Sequence, residues 1–221
     1  MGVKIFIKTL LKVNFKTLRI NFKYFPFSDA VKLPIWVSRN CYISAAMGQV
    51  IINGEITPGM ITIGYGDIGV FDRLKSRSKF QNRGTIIFDG KANIGHGCKL
   101  DVGPNGTLKI GNNVVITAET AIICNKHVSI GNNCLLSWQI LIIDDDFHKI
   151  KDKAGVILNP AKAITIGNNV WIGCRCLILK GTNIGDGNVI AANATLTKTY
   201  TQQNSILTGG KVLKQDIVWE V

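Results

Sequence analysis

Acidic residues are scarce in this chain. Its 221 residues hold 14 Asp and Glu against 26 Lys and Arg, a formal charge of +12. That balance points to an anionic partner, and nucleic acid, a membrane surface and a phosphate-bearing ligand all fit it. CxxC pairs are missing altogether: Cys41, Cys98, Cys124, Cys134, Cys174 and Cys176 have no zinc-type spacing and read as buried, reduced thiols of a cytoplasmic protein. Histidine occurs three times, at 96, 127 and 148, with no close pair among them, so no metal site is expected. No uninterrupted apolar run reaches the ~20 residues that cross a bilayer, and no small-residue cleavage site follows the N-terminus, so neither a transmembrane span nor a signal peptide is expected. Aromatics are too few for nucleic-acid stacking around the basic run FDRLKSRSKFQNRG, where only Phe71 and Phe80 flank the cations. That run reads as a solvated loop, and no nucleic acid is expected as partner.

What is present is a clock. From Ile166 onward, aliphatic residues recur every six positions at Ile166, Ile172, Ile178, Ile184, Ile190 and Leu196. Neither a helix nor an alternating strand has that period, whereas a parallel β-helix does. Gly follows the aliphatic residue at 167, 173 and 185, which suits corners of unusual φ. The fourth residue after the aliphatic one is small: Val170, Cys176, Thr182, Ala194, and likewise Cys98 and Cys134. Three cysteines are thereby accounted for as interior fillers. Upstream the clock runs in sets of three: Phe88, Ile94, Leu100; Ile110, Ile116, Ile122; Ile130, Leu136, Ile142. Three hexapeptides make one triangular coil. The steps 100 to 110, 122 to 130 and 142 to 166 exceed six by four, two and eighteen residues, one coil apart, so the extra segments must stack along one edge of the prism. Residues 50–69 read as a less regular starting coil.

The longest of these segments opens with DDDFHKI. Extended geometry would set Asp144, Asp146 and His148 on one side, where a carboxylate fixes the imidazole tautomer and raises the basicity of its other nitrogen. Such a pair is a general base. Asn125, in the insertion one coil earlier, is a candidate acceptor contact. At the N-terminus, Lys4, Lys8, Lys12 and Lys16 form an i, i+4 series on one helix face. That segment is either a basic amphipathic helix resting on anionic lipid or a cap packed on the domain behind it.

The clock, the FH-bearing loop and the stretch ITIGNNVWIG together resemble the hexapeptide-repeat acyltransferases, and most closely the capsule and exopolysaccharide O-acetyltransferases and the galactoside and maltose acetyltransferases. The likeness covers roughly residues 86–215. It implies an all-β fold, a left-handed parallel β-helix with an extended active-site loop and a short helical N-terminal segment. It also implies a homotrimer with active sites in clefts between prisms, and acetyl-CoA as co-substrate. Domain bounds follow as 1–45 for the N-terminal segment, 46–205 for the β-helix with its inserted loop 143–163, and 206–221 for a tail. Carried onto this chain, His148 falls on the catalytic histidine, Trp171 on the aromatic wall of the acyl and acceptor pocket, and Cys174, Ala192, Thr197 and Lys198 on the pantetheine-binding positions. Lys211 in TGGKVLK falls near the CoA phosphates, and Lys180 is a further candidate there. The expected function is O-acetylation of a sugar hydroxyl in surface-polysaccharide assembly, with His148 as base and Asp146 or Asp144 orienting it. N-acetylation of a nucleotide-linked amino sugar and a non-enzymatic basic scaffold are the alternatives.

Overall fold

The structure, a computed structural model, describes residues 13–219. Lys4, Lys8 and Lys12 of the predicted basic series therefore lie outside the described residues. Among the described residues two helices, α1 (Phe15–Tyr24) and α2 (Phe27–Ala30), precede a prism of three sheets with nine, seven and seven strands. The chain winds from the nine-stranded first face to the second, then the third, and back, as a left-handed parallel β-helix.

The six-residue clock is the vertical axis of this prism. On the first face Ile63, Ile94, Ile116, Leu136, Ile172, Ile190 and Leu207 stand in direct register. The second face stacks Phe80, Leu100, Ile122, Ile142, Ile178 and Leu196. The third stacks Phe88, Ile110, Ile130, Ile166, Ile184 and Tyr200. All are buried, and each contributes about 1.5–3 kcal/mol of transfer free energy. The predicted small fillers Cys98, Cys134, Val170, Cys176, Thr182 and Ala194 are buried beside them. A fully extended hexapeptide has alternating in and out positions, so a large and a small side chain per face fill the narrow interior.

The glycines after the aliphatic residues serve a different purpose from the one predicted. Gly167, Gly173 and Gly185 are absent from the positive-φ residues; that conformation falls on the corner asparagines Asn113, Asn133, Asn169 and Asn193 instead. What the glycines permit is close stacking. A Cβ on Gly131 would lie 2.5 Å from the carbonyl oxygen of Gly167 in the next coil. Alongside them, side-chain oxygens replace strand hydrogen bonds at the corner. Asn112 N–H donates to Asn132 Oδ1 (2.7 Å), Asn132 N–H to Asn168 Oδ1 (2.8 Å), and Asn168 N–H to Asp186 Oδ1 (2.7 Å).

The β-helix begins earlier than residue 46. Ile35–Val37 pairs in parallel with Ile61–Ile63, and Cys41–Ala46 and Gln49–Ile52 complete a first coil. The basic run is not wholly a loop, since Ser78–Asn82 is a second-face strand and Phe80 lies in the core. Nor is everything past 206 a tail: Ile206–Thr208 adds to the first face, and Lys211–Lys214 folds back on it antiparallel. The insertions 103–106, 125–126 and 144–163 all leave the wall between the second and third faces, as their spacing requires.

Candidate active site

At the second-to-third edge, the sequence DDD is divided among three tasks. Asp144 is fully buried, and its carboxylate accepts hydrogen bonds from the backbone N–H groups of Asn125 (2.7 Å), Lys126 (2.8 Å) and His127 (2.8 Å). It therefore ties the long loop to the insertion one coil below and has no contact with the imidazole. Its own carbonyl accepts from Lys162 N–H at 3.1 Å, closing the base of the loop. Asp145 accepts from Asn125 Nδ2 at 3.2 Å, so Asn125 is committed to loop anchorage in this chain.

Asp146 is exposed and bonded twice. The Lys180 ammonium pairs with its Oδ2, and Asn159 Nδ2 donates to the same oxygen at 2.9 Å. The Lys180 hydrogen bond first, and Asn159 second, hold the Asp146 carboxyl below the usual carboxylate range. Lys180 also donates to the Asn159 carbonyl at 3.0 Å, and Asn159 Nδ2 reaches the His148 carbonyl at 2.7 Å. His148 is exposed, and neither ring nitrogen has a hydrogen-bond partner among the described residues.

The predicted orientation of His148 by Asp146 or Asp144 is thus not what the structure shows. The reason is local backbone geometry. Phe147 has φ +62°, and His148 N–H donates to the Asp146 carbonyl at 2.7 Å, a tight three-residue turn that breaks the alternation of an extended strand. The ring is positioned through its main chain, by Asn159 and Lys180. Sequence reasoning missed Asn159, eleven residues downstream and without a motif, and it assigned Lys180 to phosphate binding instead. Beyond His148 the loop doubles back as a finger, with Leu158 N–H bonded to the Ile150 carbonyl at 2.8 Å. This finger exposes Phe147, Ile150, Val156, Ile157 and Leu158.

The expected donor-binding residues lie elsewhere. Trp171 is on the first face, 38% exposed, with Nε1 donating to Ser137 Oγ at 3.1 Å and its ring 6.1 Å from that of Trp219. Trp219 in turn borders a hollow of about 380 Å³ with Asn169, Asp186 and Gln203. Cys174 and Ala192 occupy successive turns at the first-to-second edge, and among the described residues the N–H of neither donates to another backbone group. Thr197 and Lys198 sit exposed at the second-to-third edge, one coil beyond Lys180, and Lys211 is exposed in the terminal strand. Within one chain, then, Lys198 and Thr197 share an edge with His148, while Trp171, Cys174 and Ala192 do not.

Cysteine chemistry finds little support. Burial pushes the thiols of Cys98 and Cys124 up to about 12 and those of Cys41 and Cys134 to about 11, so none of these is a thiolate at neutral pH. Among the described residues no three His, Cys, Asp or Glu side chains converge as a metal site would need.

A parallel prism with a histidine-bearing loop on one edge defines a class, and known proteins are similar to it in sequence and in fold. The bacterial transferase hexapeptide model, six repeats long, matches residues 163–198. WbbJ of Escherichia coli K12, described as an O-acetyl transferase of lipopolysaccharide biosynthesis, is 27% identical over 61% of this chain and 74% of its own length. The galactoside O-acetyltransferase of the same organism is 28% identical over 55% of this chain, which spans 62% of that enzyme. The crystal structure of the polysialic acid O-acetyltransferase OatWY has the same fold, with TM-score 0.53, 22% identity, and coverage of 85% of this chain and 90% of that one. The chain carries the bacterial transferase hexapeptide repeat over residues 163–198 and is similar to these O-acetyltransferases.

Proposed function

We propose that the protein is an acetyl-CoA-dependent O-acetyltransferase acting on a sugar hydroxyl of a surface polysaccharide or its precursor, and that it works as a homotrimer. The observation that carries this reading is the pairing of an unpartnered imidazole with a rigidly anchored finger. Among the described residues nothing bonds to the His148 ring, while the segment bearing it is fixed by Asp144, Asn159 and Lys180. The apolar Ile150, Val156 and Leu158 are exposed on that finger, a surface suited to packing on a neighbouring subunit. A neighbour there would bring its own first face, with Trp171 and the open N–H groups of Cys174 and Ala192, to the His148 that one chain holds apart from them.

The chemistry follows from these groups. The His148 imidazole takes the proton of the acceptor hydroxyl as its oxygen attacks the thioester carbonyl. The tetrahedral oxyanion needs fixed N–H donors, and its collapse breaks the C–S bond. The departing thiolate then recovers the proton from the imidazolium. The buried thiols of Cys41, Cys98, Cys124, Cys134 and Cys176 are raised by desolvation and offer no covalent relay, which favours direct transfer in a ternary complex. The WbbJ and OatWY likenesses support a polysaccharide acceptor. These relatives are enzymes, and the scaffold alternative is set aside.

CoA release from acetyl-CoA, measured across neutral and amino sugars and oligosaccharides, tests this. His148→Ala should lower the rate roughly 10²–10⁴-fold with the fold intact. Transfer confined to amino groups would move the assignment to N-acetylation, and an unchanged rate in the variant would remove His148 from the mechanism.

A further inference from the structure

Helix α1 is amphipathic in the unexpected sense. Its buried face carries two polar side chains, Thr17 and Asn21, beside the single core residue Ile20. Asn21 Nδ2 donates to the Ile35 carbonyl at 2.7 Å and its Oδ1 accepts from Ile35 N–H at 3.1 Å. Thr17 Oγ1 accepts from Val37 N–H at 3.0 Å, and Asn14 Nδ2 donates to the Val37 carbonyl at 2.7 Å. These side chains stand in for the next strand along the open edge of Ile35–Val37; Ile20 enters the core, while Phe15, Leu18 and Phe22 face outward. Phe15 is 77% exposed, Leu18 40%, Phe22 49%, and Phe27 at the start of α2 is 75% exposed. Phe22 and Phe27 touch, with ring centroids 6.0 Å apart, so the stripe is continuous.

Charge borders this stripe on one side. Arg19 and Lys23 are exposed and make no ion pair among the described residues, whereas Lys16 turns inward to the carbonyls of Arg39 and Cys41, both at 2.6 Å. The predicted lysine face is therefore not the outer face at residue 16. Up to residue 28 the sequence carries Lys4, Lys8, Lys12, Lys16, Arg19 and Lys23 and no acid; the first is Asp29. A large apolar stripe on a uniformly cationic segment is poorly suited to self-pairing, because two copies would bring like charges together. It suits a surface that is apolar beneath and anionic above.

We infer that the α1 stripe, Phe15, Leu18, Phe22 and Phe27 with Arg19 and Lys23 beside it, docks the enzyme on an anionic lipid bilayer. The helix lies flat: rings enter the acyl boundary, cations meet headgroup phosphates, and the polar inner face stays bonded to the first coil. This does not depend on the acceptor or on His148.

The test is co-sedimentation of the full-length protein with vesicles of phosphatidylcholine alone and with added phosphatidylglycerol. Binding should require the anionic lipid and weaken with salt. Arg19→Glu with Lys23→Glu should weaken it by more than tenfold, since each cation near such a surface is worth about fivefold. Phe15→Ser with Phe22→Ser and Phe27→Ser should abolish it, leaving the circular dichroism spectrum and light-scattering mass unchanged because these side chains touch little of the core. Absence of binding to anionic vesicles, or binding indifferent to both variants, overturns the inference. A fall in mass for the Phe variant also overturns it, by assigning the stripe to a subunit contact.

Discussion

Asp144 shows how an acid in an active-site loop can be structural. Three backbone donors converge on one buried carboxylate, a pattern that Asn cannot reproduce because its amide nitrogen would face one of them. Asp144→Asn should cost about 2–4 kcal/mol in denaturant unfolding and loosen the 125–127 turn as well. Asp146 behaves differently. Its carboxyl is held low by Lys180 and Asn159, so its anchoring of the finger is present above the ordinary Asp range and is lost only as pH falls through the depressed value. Amide exchange in residues 150–158, taken relative to the intrinsic rate at each pH, should stay slow from neutral pH down past the ordinary Asp range, then accelerate. In Lys180→Ala it should be fast at every pH, with a lower kcat and little change in global stability. None of this division was readable from DDDFHKI. The letters reveal an acid cluster beside a histidine, but which carboxylate meets which donor depends on a positive φ at Phe147 and on Asn159, both set by the folded loop.

At the scale of elements, the sequence was far more legible. Burial of one large residue per six fixes the period, and each excess residue must leave at a corner, so coil boundaries and the shared insertion edge could be read directly from Phe88 to Leu196. The first coil was not, because Ile35–Val37 is stacked without hexapeptide spacing and is defined by α1 covering its edge. The glycines were placed correctly and explained wrongly: contact between coils, invisible in a single strand's pattern, is what excludes a side chain at Gly131. Gly131→Ala should therefore destabilise the stack by about 3 kcal/mol even though its φ would suit alanine, a loss readable as a lowered urea midpoint.

For the whole molecule, the separation of His148 from Trp171, Cys174 and Ala192 makes a single subunit an incomplete enzyme under the proposed mechanism. His148→Ala and Trp171→Ala homotrimers should each release little CoA. Mixed trimers formed from both should recover part of the activity, because some clefts then combine an intact loop with an intact first face. Failure to recover would mean that each chain carries its own complete site. The family resemblance pointed to such clefts; the composition and spacing alone did not, since they describe one prism and not its neighbours.

The antiparallel return of Lys211–Lys214 over Ile206–Thr208 has a further consequence. A solenoid of parallel strands is open-ended, and its last rung offers unsatisfied amides to any incoming strand of the same direction. A reversed strand bearing two lysines, laid on that rung, gives the column a terminus with the wrong polarity and the wrong charge for end-to-end growth. With the side chains of α1 bonded along the open edge of Ile35–Val37, the first face is covered at both of its ends.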